Sequence, residues 1–141
     1  MTQANETDSM LDHEMQFVRH FVVPAKRSRY LSLLESRRGR TKFVRALDHF
    51  ADLDMRRATL VPPDAQTPHD IESLLRRKGA PDTCIITSSN DTIDGSNTSL
   101  REALQQTIGE GFGTIISCVA GRLAYFEGED TSTRYILEYS P

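Results

Sequence analysis

The hydrophobic period of this chain changes near residue 80, and that change constrains the fold more than any single motif. Before it, apolar residues recur three and four positions apart, the spacing of one helix face. Leu11, Met15, Val18 and Val22 do so, with Phe17 and Phe21 widening the stripe; Tyr30, Leu31, Leu33 and Leu34 follow, then Phe43, Ala46, Leu47 and Phe50, then Ile71, Leu74 and Leu75. After it come the short apolar runs Cys84-Ile85-Ile86 and 114–119 (TIISCV), and a stretch where Tyr135, Leu137 and Tyr139 alternate with Arg134 and Glu138. These read as strands.

Capping residues divide the two halves. Ser9, with Asp12 placed to reach back, caps a first helix, and Pro24 ends it or opens the next. A second helix runs over 25–37 and closes on Arg37, Arg38 and Gly39, and Thr41 caps a third. Residues 52–66 connect, with Leu60-Val61 adding a short edge strand. Thr67-Pro68-His69-Asp70 opens a helix that closes on Arg76-Arg77-Lys78-Gly79, and Ser99 with Glu102 makes a capping box for another that Gly109 ends. Ala120-Gly121 and Gly128–Ser132 are turns into the last two strands.

The chain of 141 residues is one domain's worth. The pattern predicts an α+β fold: a tail over 1–8, then a single domain over 9–141, helical in 9–79 and strand-rich in 80–141. About four strands form a mixed sheet, a βα unit feeding a three-stranded meander, with the helical half packed on one side. A right-handed crossover makes the first two strands parallel if they are neighbours. The final strand then lies at an edge, where Tyr135, Ile136 and Tyr139 can support pairing with a second copy.

The formal net charge of −3 hides a segregation. Residues 24–45 carry eight basic and one acidic side chains, a net of +7, whereas residues 79–141 carry three basic and nine acidic, a net of −6. Arg27, Arg29, Arg37, Arg38, Arg40, Lys42 and Arg45 are therefore candidates for binding an anionic partner, a nucleic acid or an acidic protein. The opposite expectation is that the acidic half neutralises them internally.

A second candidate is the polar loop 88–97, between a strand and a capped helix. Ser88, Asn90, Asp91 and Asp94, with Arg122 brought near by a parallel neighbour strand, are ligand-binding candidates. Asp91 and Asp94 are the weak catalytic candidates, as acid, base or metal ligands. A calcium-loop reading fails: with Gly95 on the invariant glycine, Arg101 stands where a bidentate Glu is required. The glycines of 109–113 run from helix to strand, the wrong order for a phosphate cradle. The acidic corner Glu127-Gly128-Glu129-Asp130 reads as a soluble turn rather than a cation site. Four histidines show no metal-ligand spacing, and Cys84 and Cys118 belong to no CxxC pair, so both read as core thiols.

No stretch reads as a signal peptide or a membrane span, so the expectation is a soluble cytoplasmic protein that does not bind membranes and uses no cofactor or metal. The leading function is a non-catalytic binding or regulatory module. A small enzyme or ligand binder using 88–97 is the alternative, and a homodimer through the C-terminal strand is the third reading.

Overall fold

The computed structural model describes residues 3–130 and 133–141, and the side chains of residues 3–8 fall outside the description. The first two residues of the expected tail and the last two of the Gly128–Ser132 turn lie outside the described residues. Six strands form one sheet: β1 (Ala58–Leu60), β2 (Thr83–Ser88), β3 (Asn97–Ser99), β4 (Thr114–Val119), β5 (Leu123–Glu127) and β6 (Arg134–Glu138), in the order β1-β6-β5-β4-β2-β3. Every neighbouring pair is antiparallel.

The α+β class holds, but the expected four-stranded mixed sheet does not. Its parallel pair rested on the crossover rule applied between β2 and β4. The strand that enters the crossover is β3, which the polar composition of Asn97–Ser99 concealed. β3 turns back along β2, pairing Thr83 with Ser99 and Ile85 with Asn97. α5 (Leu100–Thr107) then carries the chain over β2, and β4 pairs on its other side, Ile86 against Ile116. The crossover therefore joins β3 and β4, which run the same way with β2 between them.

β6, last in the chain, is not an edge. It lies between β5 and β1, with Leu137 opposite both Ala124 and Ala58. The expected pairing with a second copy through the C-terminal strand therefore has no free ladder to use. The edges are β1 and β3, three residues each. Pro62-Pro63 follows β1 closely and limits its extension.

Helices cover both faces of the sheet, not one. Alternation along β4 and β5 sends Ile115, Ala124 and Phe126 to one side and Ile116, Cys118, Leu123 and Tyr125 to the other. The first set packs with Phe17, Phe21, Leu34, Phe43 and Leu47 from α1 (Gln3–Phe21), α2 (Arg27–Leu33), α3 (Arg37–Ala46) and the 3-10 turn after it. The second packs with Ile71 and Leu75 of α4 (Pro68–Arg77) and Leu100, Ala103 and Leu104 of α5. Both cysteines are buried and unpaired in this second layer.

The helix ends show where composition was a sound guide. Thr67 and Asp70 close the capping box of α4 around Pro68, and the Ser99 hydroxyl accepts from the Glu102 N–H at the start of α5. α1 begins upstream of Ser9, so residues 3–8 are helical backbone rather than tail. The expected second helix breaks at 34–36, where the Ser36 hydroxyl accepts from the Gly39 N–H and starts α3. Gly39 thus sits inside the first turn of α3 instead of ending α2. A Cβ there would stand 2.1 Å from the Leu33 carbonyl oxygen, so only glycine lets the two helices approach this closely. Gly39→Ala is expected to cost about 2–3 kcal/mol through this overlap, read as a lowered urea midpoint with unchanged slope.

Candidate functional site

The basic segment divides between two faces of α3. With 100° per residue, Gly39, Arg40, Phe43 and Val44 share one side of the helix. Gly39, Phe43 and Val44 are buried there, and Arg40 projects between the two apolar side chains towards the sheet. Arg37, Arg38, Thr41, Lys42 and Arg45 occupy the other side, and all are exposed.

Arg40 meets two carboxylates at the seam between the halves. Its Nε and Nη2 donate to Glu14 at 3.0 and 2.7 Å, and its Nη1 and Nη2 donate to Asp94 at 2.8 and 2.9 Å. Glu14 also accepts from the Thr87 hydroxyl at 2.7 Å, and Asp94 from the Ser88 N–H at 2.9 Å. One guanidinium therefore ties α1, α3, β2 and the loop after β2 together. Both carboxylates hold Arg40 firmly in its charged form and raise its pKa, against the opposing effect of burial. Arg40 is half-buried and committed to these two carboxylates, unlike its exposed neighbours on α3.

Most polar groups of the loop 88–97 are engaged within the fold. The Ser88 hydroxyl bonds Thr114 at 2.8 Å and accepts from the Asn90 N–H at 3.0 Å, and the Asn90 side-chain oxygen accepts from the Thr92 N–H at 3.1 Å. Asp94 is taken by Arg40, and Asp91 is exposed. A shallow recess of about 210 Å³ lies between Asp91, Asp94, Ser89 and the Arg40–Arg45 side of α3. Arg122 is not near it. Because β4 is antiparallel to β2, the turn after Val119 emerges where β2 begins, at the end of the sheet away from Ser88. The constellation expected around Asp91, Asp94 and Arg122 is not assembled.

The acidic corner divides as well. Glu127 is fully buried, accepting from the Tyr125 hydroxyl at 2.6 Å and the Gly109 N–H at 2.9 Å, and burial raises its pKa. Glu129 faces outward and pairs with His49 at 2.8 Å. Among the described residues no group of three His, Cys, Asp or Glu side chains is placed to hold a metal ion. Burial pushes the Cys84 thiol up to about 12 and Cys118 higher still, so neither is poised as a nucleophile. His13 Nδ1 lies 2.6 Å from the Ser117 hydroxyl, but Ser117 is buried within β4.

What remains is the outward side of α3. Arg37, Arg38, Lys42 and Arg45 form no ion pair among the described residues. The shifted helix boundary sharpens their situation. As the end of α2, Arg37 and Arg38 would sit at a negative dipole end. As the first two residues of α3 they sit at a positive one, with no acidic side chain in that turn. Of the other candidates, Arg29 is exposed beside Tyr30, with its guanidinium carbon 6.0 Å from the ring centroid. Arg27 turns inward, its Nε donating to the Val22 carbonyl at 2.8 Å and its Nη2 standing 3.7 Å from Asp54.

Glu14 and Thr87 had not been singled out. Glu14 carried a signal: it lies three residues after Leu11 and four before Val18, on the apolar stripe of its helix. A carboxylate there must find a cation. Thr87 carried none. Comparison with protein-family models, with curated proteins and with solved structures finds no match to this chain.

Arg40→Ala would leave Glu14 buried without its cation. The expected loss is about 3 kcal/mol, the low end for a broken buried pair because Arg40 keeps partial solvent contact. Arg40→Ala combined with Glu14→Gln should recover part of that loss in urea unfolding.

Proposed function

We propose that the protein is a non-catalytic binding module that holds an anionic macromolecule, the phosphate backbone of a nucleic acid, against the outward side of α3. The observation that carries this reading is the set Arg37, Arg38, Lys42 and Arg45, exposed together on one helix side. Close like charges repel and carry a cost, and the helix dipole adds to that cost at Arg37 and Arg38. A polyanion relieves both.

The composition of the face favours a phosphate backbone over an acidic protein. Protein interfaces centre on buried aromatic and aliphatic anchors. The α3 face offers cations and Thr41, with exposed Ala46 as the apolar residue at its end. Arg38 to Arg45 spans about 10 Å of helix axis at the standard rise, enough for more than one phosphate. No aromatic ring accompanies them to stack on a base, so the contact supports backbone binding without sequence preference.

Fluorescence anisotropy with duplex and single-stranded oligonucleotides tests this. Binding should weaken steeply with salt, with a log–log slope of about −3 to −4 for four neutralised phosphates on a duplex. Arg37→Ala, Arg38→Ala, Lys42→Ala and Arg45→Ala together should abolish it without changing the unfolding free energy measured in urea by more than about 0.5 kcal/mol. Binding that ignores salt or survives the fourfold variant overturns the reading. So does affinity for poly-glutamate with none for nucleic acid.

A further inference from the structure

Apolar side chains usually close over one another, but between segment 48–55 and the β5–β6 hairpin they do not. An open pocket of about 340 Å³ lies there. Phe126 and Tyr135, cross-strand partners on the sheet, line it together with Phe50, Leu53 and Met55 of the segment before β1. Phe50, Leu53, Phe126 and Tyr135 all belong to the apolar layer shared with α1, α2 and α3, so the pocket lies on that side of the sheet. The Phe50 ring packs on Tyr30 and Phe126, with centroids 5.3 and 6.1 Å away. Even so, Phe50 and Tyr135 are only half-buried, and Met55 is 54% exposed. The aromatic cluster of this layer reaches water at the pocket.

Both sides of the pocket are anchored. The Val23 N–H donates to the Asp52 carbonyl at 2.8 Å and the Asp54 N–H to the Phe21 carbonyl at 2.8 Å, which ties segment 50–55 to the end of α1. The Glu129 N–H donates to the Asp48 carbonyl at 3.0 Å, which ties the hairpin to the turn after α3. The acidic and basic side chains on the lining are Asp48, Asp130 and His49, and His49 is engaged by Glu129 at 2.8 Å. Among the described residues no Lys or Arg lines the pocket. Asp48 accepts from the Ser89 hydroxyl and the Gly113 N–H, both on Oδ1. Its Oδ2 accepts no hydrogen bond among the described residues.

We propose that this pocket binds a small organic cation, an ammonium group carried on an aryl or short alkyl body. Ligand pockets begin at about 300 Å³, so this one takes a single ring rather than an extended chain. The body replaces water against Phe50, Leu53, Met55 and Tyr135. The ammonium group gains from the aromatic rings and from the carboxylate of Asp48, and the charge of Asp130 adds to both. An anion of the same shape meets two carboxylates and is rejected. The anchors hold both sides in place before a ligand arrives, so little ordering is lost on binding. None of these residues belongs to the cationic side of α3, so either reading can fail alone.

Benzylammonium, benzyl alcohol and benzoate, titrated separately into the full chain at constant ionic strength, test the site through the methyl resonances of labelled methionine. Benzylammonium should shift the Met55 methyl to saturation with a dissociation constant of about 1 mM or tighter, and leave the Met15 methyl in place. Benzyl alcohol should bind about tenfold more weakly, the size of one charge-assisted hydrogen bond, and benzoate not at all. Asp48→Asn should bring the ammonium down to the affinity of the alcohol and leave the alcohol unchanged. Ala51→Phe, at an exposed position on the lining, should block both without lowering the urea midpoint. Arg37→Ala/Arg38→Ala should change nothing. Equal affinities for ammonium and alcohol, undiminished binding to Ala51→Phe, or equal shifts at Met15 and Met55 overturn the proposal. So does a Met55 shift that grows with protein concentration alone, the mark of a second copy seated in the pocket.

Discussion

A carboxylate taken out of water needs a cation beside it, and this fold meets that requirement with arginine throughout. Glu14, Asp54, Glu72 and Glu127 are all buried, and each has a guanidinium within 3.2 Å. Beyond Asp54, which Arg27 of α2 approaches at 3.7 Å, the other three also join different elements. Glu14 with Arg40 fastens α1 to α3, Glu72 holds Arg76 of its own helix and Arg101 of α5 at 3.3 Å, and Glu127 with Arg134 joins β5 to β6. Such pairs add little net stability over apolar packing, because desolvation offsets attraction. What they add is exclusivity: a helix that docks one turn out of register leaves a bare charge in the core.

The same interactions show where the segregated charge goes. Had the basic segment and the acidic half neutralised one another, many ion pairs would cross between them. Among the described residues, Arg40 with Asp94 is the pair that does. Arg40 is a structural rivet, and its neighbours on α3 stay in water. The acidic half pairs largely within itself or with α4, as in Arg76–Asp82 and Lys78–Glu138. The separation seen along the chain persists on the folded surface.

Much of the fold was legible because its signals are local. Capping chemistry placed α4 and α5, apolar periodicity found the inner faces of α1 and α3, and β-branched runs marked β2 and β4. Three errors share one physical cause. Asn97–Ser99 is polar because it is an edge, so its strand character lies in backbone pairing alone. Gly39 looks like a helix end, but the close approach that needs it is a tertiary contact with Leu33. β6 ends the chain yet lies inside the sheet, since sequence order does not determine strand order. The candidate site was half legible: composition marked the segment, while helix phase decided which of its cations face outward. The stack of His20 on Tyr139, with Arg57 4.1 Å from the tyrosine ring, had no sequence signal, because the three residues lie far apart in the chain.

The position of β6 has a consequence for the order in which the molecule can form. The inner faces of α1, α2 and α3 rest on Ile115, Ala124, Phe126 and Leu137, and β1 has β6 as its strand partner. A ribosome makes the helical half before the surface that covers it. Until Arg134–Glu138 has left the exit tunnel, β1 has nothing to pair with and the helical layer has no complete floor. The chain must carry its largest apolar stripes uncovered until β4–β6 are made, with the acidic and basic side chains between them keeping it from its neighbours.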